Sequence, residues 1–215
     1  MARNTKEQAQ ETRHQIINAA IDRFSEFGVA KTSLADIAAA AGVTRGAIYW
    51  HFKNKADLLN EIWSQSESVM ADRELEYQAK YPSDPLSVMR ALILSVFETS
   101  ARDPKRRALL EIMYHKCEFV GEMEALRLMQ QNFYQECYEK IGVVLKECIA
   151  ADQLPENLDV ARAAIVIRGY ISGILENWLF MPESFDLVAE APQLVDTLID
   201  MLHYSPTLRS GNISD

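Results

Sequence analysis

Between Thr44 and Lys55 the chain crowds hydrogen-bond donors into a short space: Arg45, Tyr49, Trp50, His51, Lys53 and Lys55, with Gly46 and Ala47 between them. Asp and Glu are missing from the whole stretch 37–56, while Lys31, Arg45, Lys53 and Lys55 cluster around that gap. Long donors on one short helix, whose small residues keep its leading face low, suit the base edges and phosphates of a DNA major groove. Arg45 is the candidate for a base edge or a phosphate and Tyr49 for the backbone. Thr32, Ser33, Thr44, Gly46, Ala47, Trp50, His51, Lys53 and Lys55 complete the expected contact set. The other reading of the same residues is an ordinary helical hairpin with a solvated polar face.

Such a helix must be held by its neighbours. Ser33 with Asp36 three residues on is a helix-start signature, the hydroxyl accepting a backbone N–H and the carboxylate lying near the positive helix end. A short Ala-rich helix follows, Gly42 can take the left-handed conformation that stops it, and Thr44 can cap a second helix at roughly 45–51. Two helices joined by so short a turn have the spacing of a helix-turn-helix. Upstream, from about Glu11 to Phe27, Ile16, Ile17, Ala20, Ile21, Phe24 and Phe27 recur at helical spacing and Gly28 ends the run. Leu34, Ile37, Ile48 and Phe52 supply the apolar partner, which predicts a three-helix domain with the recognition helix last. Residues 1–9, with Arg3 and Lys6, read as a frayed polar arm able to touch phosphates.

The charge distribution agrees with one-ended docking. Residues 1–55 hold eight Lys/Arg against five Asp/Glu, residues 56–215 hold fourteen against twenty-six; the front is +3, the rest −12, and the formal total −9. An acidic body repels phosphate, so DNA is approached favourably only by the N-terminal end.

Beyond Asn54 and Asp57, another start signature, one helix is expected to run to about Tyr81, where Pro82 and Pro85 stop it. Further helices are predicted at about 86–101, 105–117, 122–151, 159–181 and 187–203, with 205–215 as a loose tail. No alternating strand pattern appears, so the fold class is all-α, with a DNA-binding domain over 1–54 and a helical body over 55–215. No apolar run is long enough for a membrane span and the N-terminus lacks the apolar stretch of a signal peptide, so no membrane partner is expected and the cytoplasm is the default.

Three cysteines, Cys117, Cys137 and Cys148, have no paired Cys/His spacing, so neither a disulfide framework nor a metal site is predicted. GxSxG, HExxH and Gly-rich phosphate loops are missing, so neither an enzyme nor a cofactor is expected. A thiol-based sensor using one of the cysteines stays open as a second class of function, and so does activation in place of repression.

Glu67 lies one turn from Trp63 and shares the apolar side of its helix with Ile62 and Met70. It either points to solvent at the edge of that face or stands as a carboxylate inside an aromatic lining, where a cationic ligand could replace its lost water. Small residues in 159–181 permit close helix approach, either within the chain or between two copies.

Ala41 to Lys55, reading Ala-Gly-Val-Thr-Arg-Gly-Ala-Ile-Tyr-Trp-His-Phe-Lys-Asn-Lys, resembles the DNA-binding signature of the TetR family of bacterial repressors. Tyr114–Phe119, Arg168–Gly173 and Glu176–Phe180 are similar to segments of the branch that represses multidrug efflux pumps. The resemblance runs essentially from end to end. It implies an all-α homodimer of about nine helices per chain that binds a palindromic double-stranded operator. It also implies a cavity for hydrophobic or cationic drugs and dyes, with Ile62, Trp63, Glu67, Met70, Arg106, Arg107, Leu109, Met113, Tyr114, Gln130 and Phe133 as candidate lining. The dimer contact it implies involves Ile165, Gly169, Ser172, Gly173, Trp178 and Leu198, and the implied target is a pump operon together with the repressor's own gene.

Overall fold

The computed structural model describes residues 2–119 and 121–211, with side chains from Lys6 onward and Glu122 excepted. Among the described residues there are nine α-helices and no strand: α1 (Ala2–Phe27), α2 (Leu34–Ala40), α3 (Arg45–His51), α4 (Lys55–Lys80), α5 (Pro85–Arg102), α6 (Pro104–Glu111), α7 (Glu124–Ala150), α8 (Val160–Phe180) and α9 (Leu187–Tyr204). The chain packs as two compact units, Met1–Ser68 with Pro104–Gln130, and Val69–Asp103 with Gln131–Asp215.

The first unit is built on the apolar stripe of α1. Ile16, Ala20 and Phe24 are fully buried against Ile37 of α2, Ile48 of α3, Phe52, and Leu58 and Leu59 of α4. Burying each large apolar side chain contributes roughly 1.5–3 kcal/mol, more than a seven-residue helix gains from its own hydrogen bonds, so α2 and α3 exist because this core exists. Helix α1 starts at Ala2, well before the expected Glu11. Lys6-Glu7-Gln8-Ala9-Gln10 is a run of strong helix formers, and once α1 is nucleated by its buried half it propagates backwards without needing an apolar face. Arg3, expected near phosphate, has its side chain outside the described residues.

The turn chemistry follows the sequence closely. Asp36 N–H donates to Ser33 Oγ at 3.2 Å and Ser33 N–H donates to the Asp36 carboxylate at 2.9 Å, a reciprocal cap. Gly42 sits at φ +68, the left-handed region where a Cβ is penalised, and ends α2. Thr44 Oγ1 accepts from Ala47 N–H at 3.1 Å to open α3. Asp57 N–H donates to Asn54 Oδ1 at 2.8 Å to cap α4, and the Asp57 carboxylate accepts from Lys53 N–H, one residue before the cap, at 3.0 Å.

The helix expected over 105–117 is interrupted. After Glu111 the chain widens into a π-helical turn, Ile112–Lys116, which buries Ile112 and Met113. The wider turn delivers the Lys116 carbonyl to Val29 N–H at 3.0 Å, while Lys116 Nζ donates to the Ser25 carbonyl at the end of α1.

In the second unit α5 packs on α9 and α8, which also touch each other, and Phe97, Leu145, Ile167, Leu198 and Leu202 are buried. The Asp84 carboxylate accepts from the Ser87 hydroxyl at 2.5 Å, from Ser87 N–H at 2.9 Å as the cap of α5, and from Gln153 at 2.7 Å; these bonds hold its carboxyl below the usual range. Arg90 of α5 meets Asp196 of α9 at 2.8 Å. The stretch expected to be a loose tail from 205 is folded as far as Gly211. Leu208 is buried, its carbonyl accepts from Asp159 N–H at 2.9 Å, and Ser210 N–H donates to the Asn157 carbonyl at 2.7 Å. The buried Leu208 and these backbone bonds, with Arg162 donating to the Thr207 carbonyl at 2.6 Å, anchor the segment together. Residues 212–215 of the expected tail lie outside the described residues.

Candidate functional site

Helix α3 shows its donors to solvent. Arg45, Gly46, Tyr49 and Trp50 are exposed, Trp50 at 74%, and Ile48 is the residue it buries. Its first turn carries no acidic residue. Lys31, Thr32, Ser33, Tyr49, Lys53 and Lys55 line a cleft of about 330 Å³ with Ala30, Leu34 and Asn54. The structure therefore gathers residues from the start of α2, the exposed face of α3 and the start of α4 around one basic hollow, a shape and charge suited to a phosphate.

Two of the expected contacts turn inward. Thr32 is buried, and its hydroxyl donates to the Gly28 carbonyl at 2.8 Å, which holds the α1–α2 loop at the edge of the cleft. Lys55 Nζ donates to the Val29 carbonyl at 2.9 Å, so part of its role is to brace the same loop. His51 is half-buried, and burial first, then the nearby positive charge of Arg13, holds its imidazole below the ordinary pKa.

On the α4 and α6 side of the same unit, the Arg106 guanidinium lies 3.9 Å from the Glu67 carboxylate, donates to the Ser66 hydroxyl, and stands 5.9 Å from the Trp63 ring centroid. Trp63, Glu67 and Arg106 are thus brought together. Of the two arginines expected in the lining with Glu67, Arg106 supplies its counter-charge. Arg107 turns to Glu111 at 3.2 Å, and Glu111 also meets Lys116 at 3.6 Å. Ile62, Leu109 and Met113 belong to the buried core of this unit, while Tyr114 and Gln130 are half-buried. Met70 and Phe133 fall in the other unit. That unit has a cleft of its own, about 550 Å³, between the end of α4, the start of α5 and the end of α7; Tyr81, Val88, Val144 and Glu147 line it, and none of the expected ligand residues does.

Along α8, Ile165 and Gly169 are exposed and Ser172 and Gly173 half-exposed, one turn apart on a single face. Trp178 and Leu198 do not share it. Trp178 is 5% exposed and Leu198 fully buried, because α8 and α9 pack on the rest of their own unit through them; they back the outer face from within.

Sequence reasoning missed Arg13, Glu61, Ser66 and Lys116. Arg13 carried a signal, since a charged residue one turn before Ile16 continues the apolar stripe of α1 and must find a partner there. Burial pushes the Cys117 and Cys148 thiols up to about 11, away from the low values a sensor thiol needs. Among the described residues no group of His, Cys, Asp and Glu is placed to hold a metal ion, and no helix is long and apolar enough to cross a membrane.

A capped helix-turn-helix that offers a basic, carboxylate-free helix, set in a chain whose other unit is also entirely helical, defines a DNA-binding transcriptional regulator. Residues 16–62 match the bacterial regulatory proteins of the tetR family, and residues 84–204 match the C-terminal region of MAATS-type transcriptional repressors. The chain belongs to the TetR family and is a transcriptional repressor. It is 55% identical, over 210 residues that cover 98% of each chain, to the HTH-type transcriptional regulator AcrR of Shigella flexneri. Its fold is similar to that of NalD, the secondary repressor of the MexAB-OprM multidrug efflux pump in Pseudomonas aeruginosa (TM-score 0.78, 31% identity, 91% of this chain and 98% of that one). It is also similar to a triclosan complex of SmeT, repressor of the Stenotrophomonas maltophilia efflux pump SmeDEF (TM-score 0.80, 28% identity, 95% of this chain and 98% of that one).

Proposed function

We propose that this repressor controls a multidrug efflux operon and its own gene by binding a palindromic operator as a homodimer in the cytoplasm, and that structurally diverse hydrophobic or cationic drugs release it. The observation that carries the reading is the exposed Arg45, Tyr49 and Trp50 face of α3 beside a cleft of lysines. One recognition helix buries too little surface for tight specific binding, so two copies read half-sites about 34–36 Å apart, one turn of DNA. The DNA-reading part is 1–54, the ligand and dimer part 55–215, and the exposed Ile165, Gly169, Ser172 and Gly173 face of α8 is where the copies meet. No reaction is assigned to the chain.

Release follows from charge and geometry near Glu67. A drug seated among Trp63, Glu67 and Arg106 perturbs α6 and α4 together. From α6 a chain of contacts leads through Glu111 and Lys116 to Val29, whose N–H and C=O are held by Lys116 and Lys55 respectively. A ligand that prefers a different α4–α6 arrangement shifts the population away from the DNA-competent pose by its differential affinity, and operator affinity falls by the same factor. The test is fluorescence anisotropy with the DNA upstream of the gene, titrated with triclosan (neutral) and tetraphenylphosphonium (cationic, non-intercalating). Both compounds lower operator affinity if the reading holds; an affinity indifferent to both refutes drug release.

A further inference from the structure

Arg13 of α1 meets three other parts of its unit at once. Its Nη2 lies 2.7 Å from the Glu61 carboxylate of α4, its Nη1 donates to the His51 carbonyl at 3.5 Å, and its guanidinium stacks over the Phe52 ring at 4.6 Å from the centroid. Phe52 is itself buried and is the residue on which α3 ends. A seven-residue helix cannot hold its own orientation, and its last carbonyls lack intrahelical donors. At the N-terminal end Thr44 supplies the missing partner; at the C-terminal end a cation both donates to a carbonyl and complements the negative helix end. Glu61 keeps that cation turned inward, towards α3.

The pair is one-third exposed on both sides, so as a stability device it is worth little. Its geometric effect is larger. Arg13 ties the end of the recognition helix to α1 and α4 through a planar group that bonds two partners and stacks on a third, which a lysine cannot reproduce.

We infer that Arg13, held by Glu61, is a positioning residue for operator reading: it sets the angle of α3 against α1 and α4 and reaches no base or phosphate itself. This rests on the DNA-binding reading above. Its consequence is selective. Tilting α3 by a small angle misaligns base-edge contacts, whereas attraction of the basic face to any duplex survives.

The decisive variant is Glu61→Gln, because two accounts predict opposite signs. Removing a carboxylate from the DNA-facing unit raises affinity on electrostatic grounds alone. The clamp predicts a fall of about tenfold for operator DNA at fixed salt, the order of one charge-assisted hydrogen bond, with affinity for an unrelated duplex unchanged or slightly raised. Arg13→Lys and Arg13→Ala lose operator affinity likewise, the double variant Arg13→Ala/Glu61→Gln loses no more than the worse single one, and the His51 ring titrates at higher pH in Arg13→Ala. Thermal melts of the full chain identify any variant that misfolds, and Arg13→Lys, which keeps the charge, is the milder substitution. A Glu61→Gln protein that binds operator as well as or better than the natural chain overturns the inference. So does an Arg13→Ala protein that loses equally on both duplexes, which would make Arg13 a phosphate contact. If the natural chain itself cannot tell operator from unrelated DNA, it is the DNA-binding reading that fails.

Discussion

The Arg106 guanidinium faces the Glu67 carboxylate at 3.9 Å, with the Arg106 side chain 12% exposed and that of Glu67 32%. Under the proposed drug-binding role, a carboxylate with a resident guanidinium is a competitive site: an incoming cation has to displace or share Glu67 with Arg106. Glu67→Gln therefore weakens tetraphenylphosphonium by at least about fivefold, the order of one hydrogen bond to a charged group, and leaves triclosan within about twofold. Arg106→Ala strengthens the cation, because the competitor is gone. Calorimetric titration of the variants reads both signs, and equal losses for the two compounds would remove Glu67 from charge recognition.

Arg45→Ala and Tyr49→Ala each lower operator affinity about tenfold to a hundredfold, the cost of roughly 1–3 kcal/mol for a good base or backbone contact. Both side chains are exposed, so melting temperature and drug affinity hold steady. Gel shifts with full affinity for both variants would refute the assignment of α3 as the reading helix.

Burial holds the Cys117 and Cys148 thiols at about 11, so at pH 7.5 the folded chain carries less thiolate than an ordinary cysteine would. Iodoacetamide consequently labels the two residues more slowly in the native chain than in urea, and native labelling accelerates as pH rises towards 10. A variant with serine at all three cysteines still binds operator and still responds to drug. Loss of drug response in that variant would reopen the thiol-sensor reading.

Leu208→Ala removes the buried apolar side chain of 205–211 and costs about 2–4 kcal/mol of local stability. Hydrogen exchange reads this at Asp159 N–H, which bonds to the Leu208 carbonyl at 2.9 Å. Unchanged protection there would show that the segment is held by something other than Leu208.

Most of the helix plan was legible because its punctuation is local. Ser33 with Asp36, Gly42, Thr44 and Asn54 with Asp57 each act within four residues, and the structure uses them all; Pro82 follows the end of α4, whereas Pro85, expected as part of the same stop, opens α5. What escaped depends on partners distant in sequence. The π turn after Glu111 meets Val29; the tail is ordered by the buried Leu208 and by bonds to Asn157, Asp159 and Arg162; Thr32 turns inward because Gly28 offers it a carbonyl. Exposure of the α3 donors could be read from their type, whereas Trp178 and Leu198 could not be placed, since an apolar residue at helical spacing says that it is covered and not by what. Arg13 and Glu61 are invisible as a pair until α1 and α4 are side by side.

The chain has three tryptophans, and their surroundings differ enough to make them separate optical channels. Trp50, 74% exposed on the reading face, emits as a water-bathed indole and is open to acrylamide quenching until a duplex covers it. Trp63 sits half-buried near Arg106, where a drug would alter its emission, and Trp178 is shielded within its own unit as a steady background. Occupancy by nucleic acid and by the proposed drug ligands can thus be followed in one cuvette without any added label, the first through quencher access and the second through spectral shift.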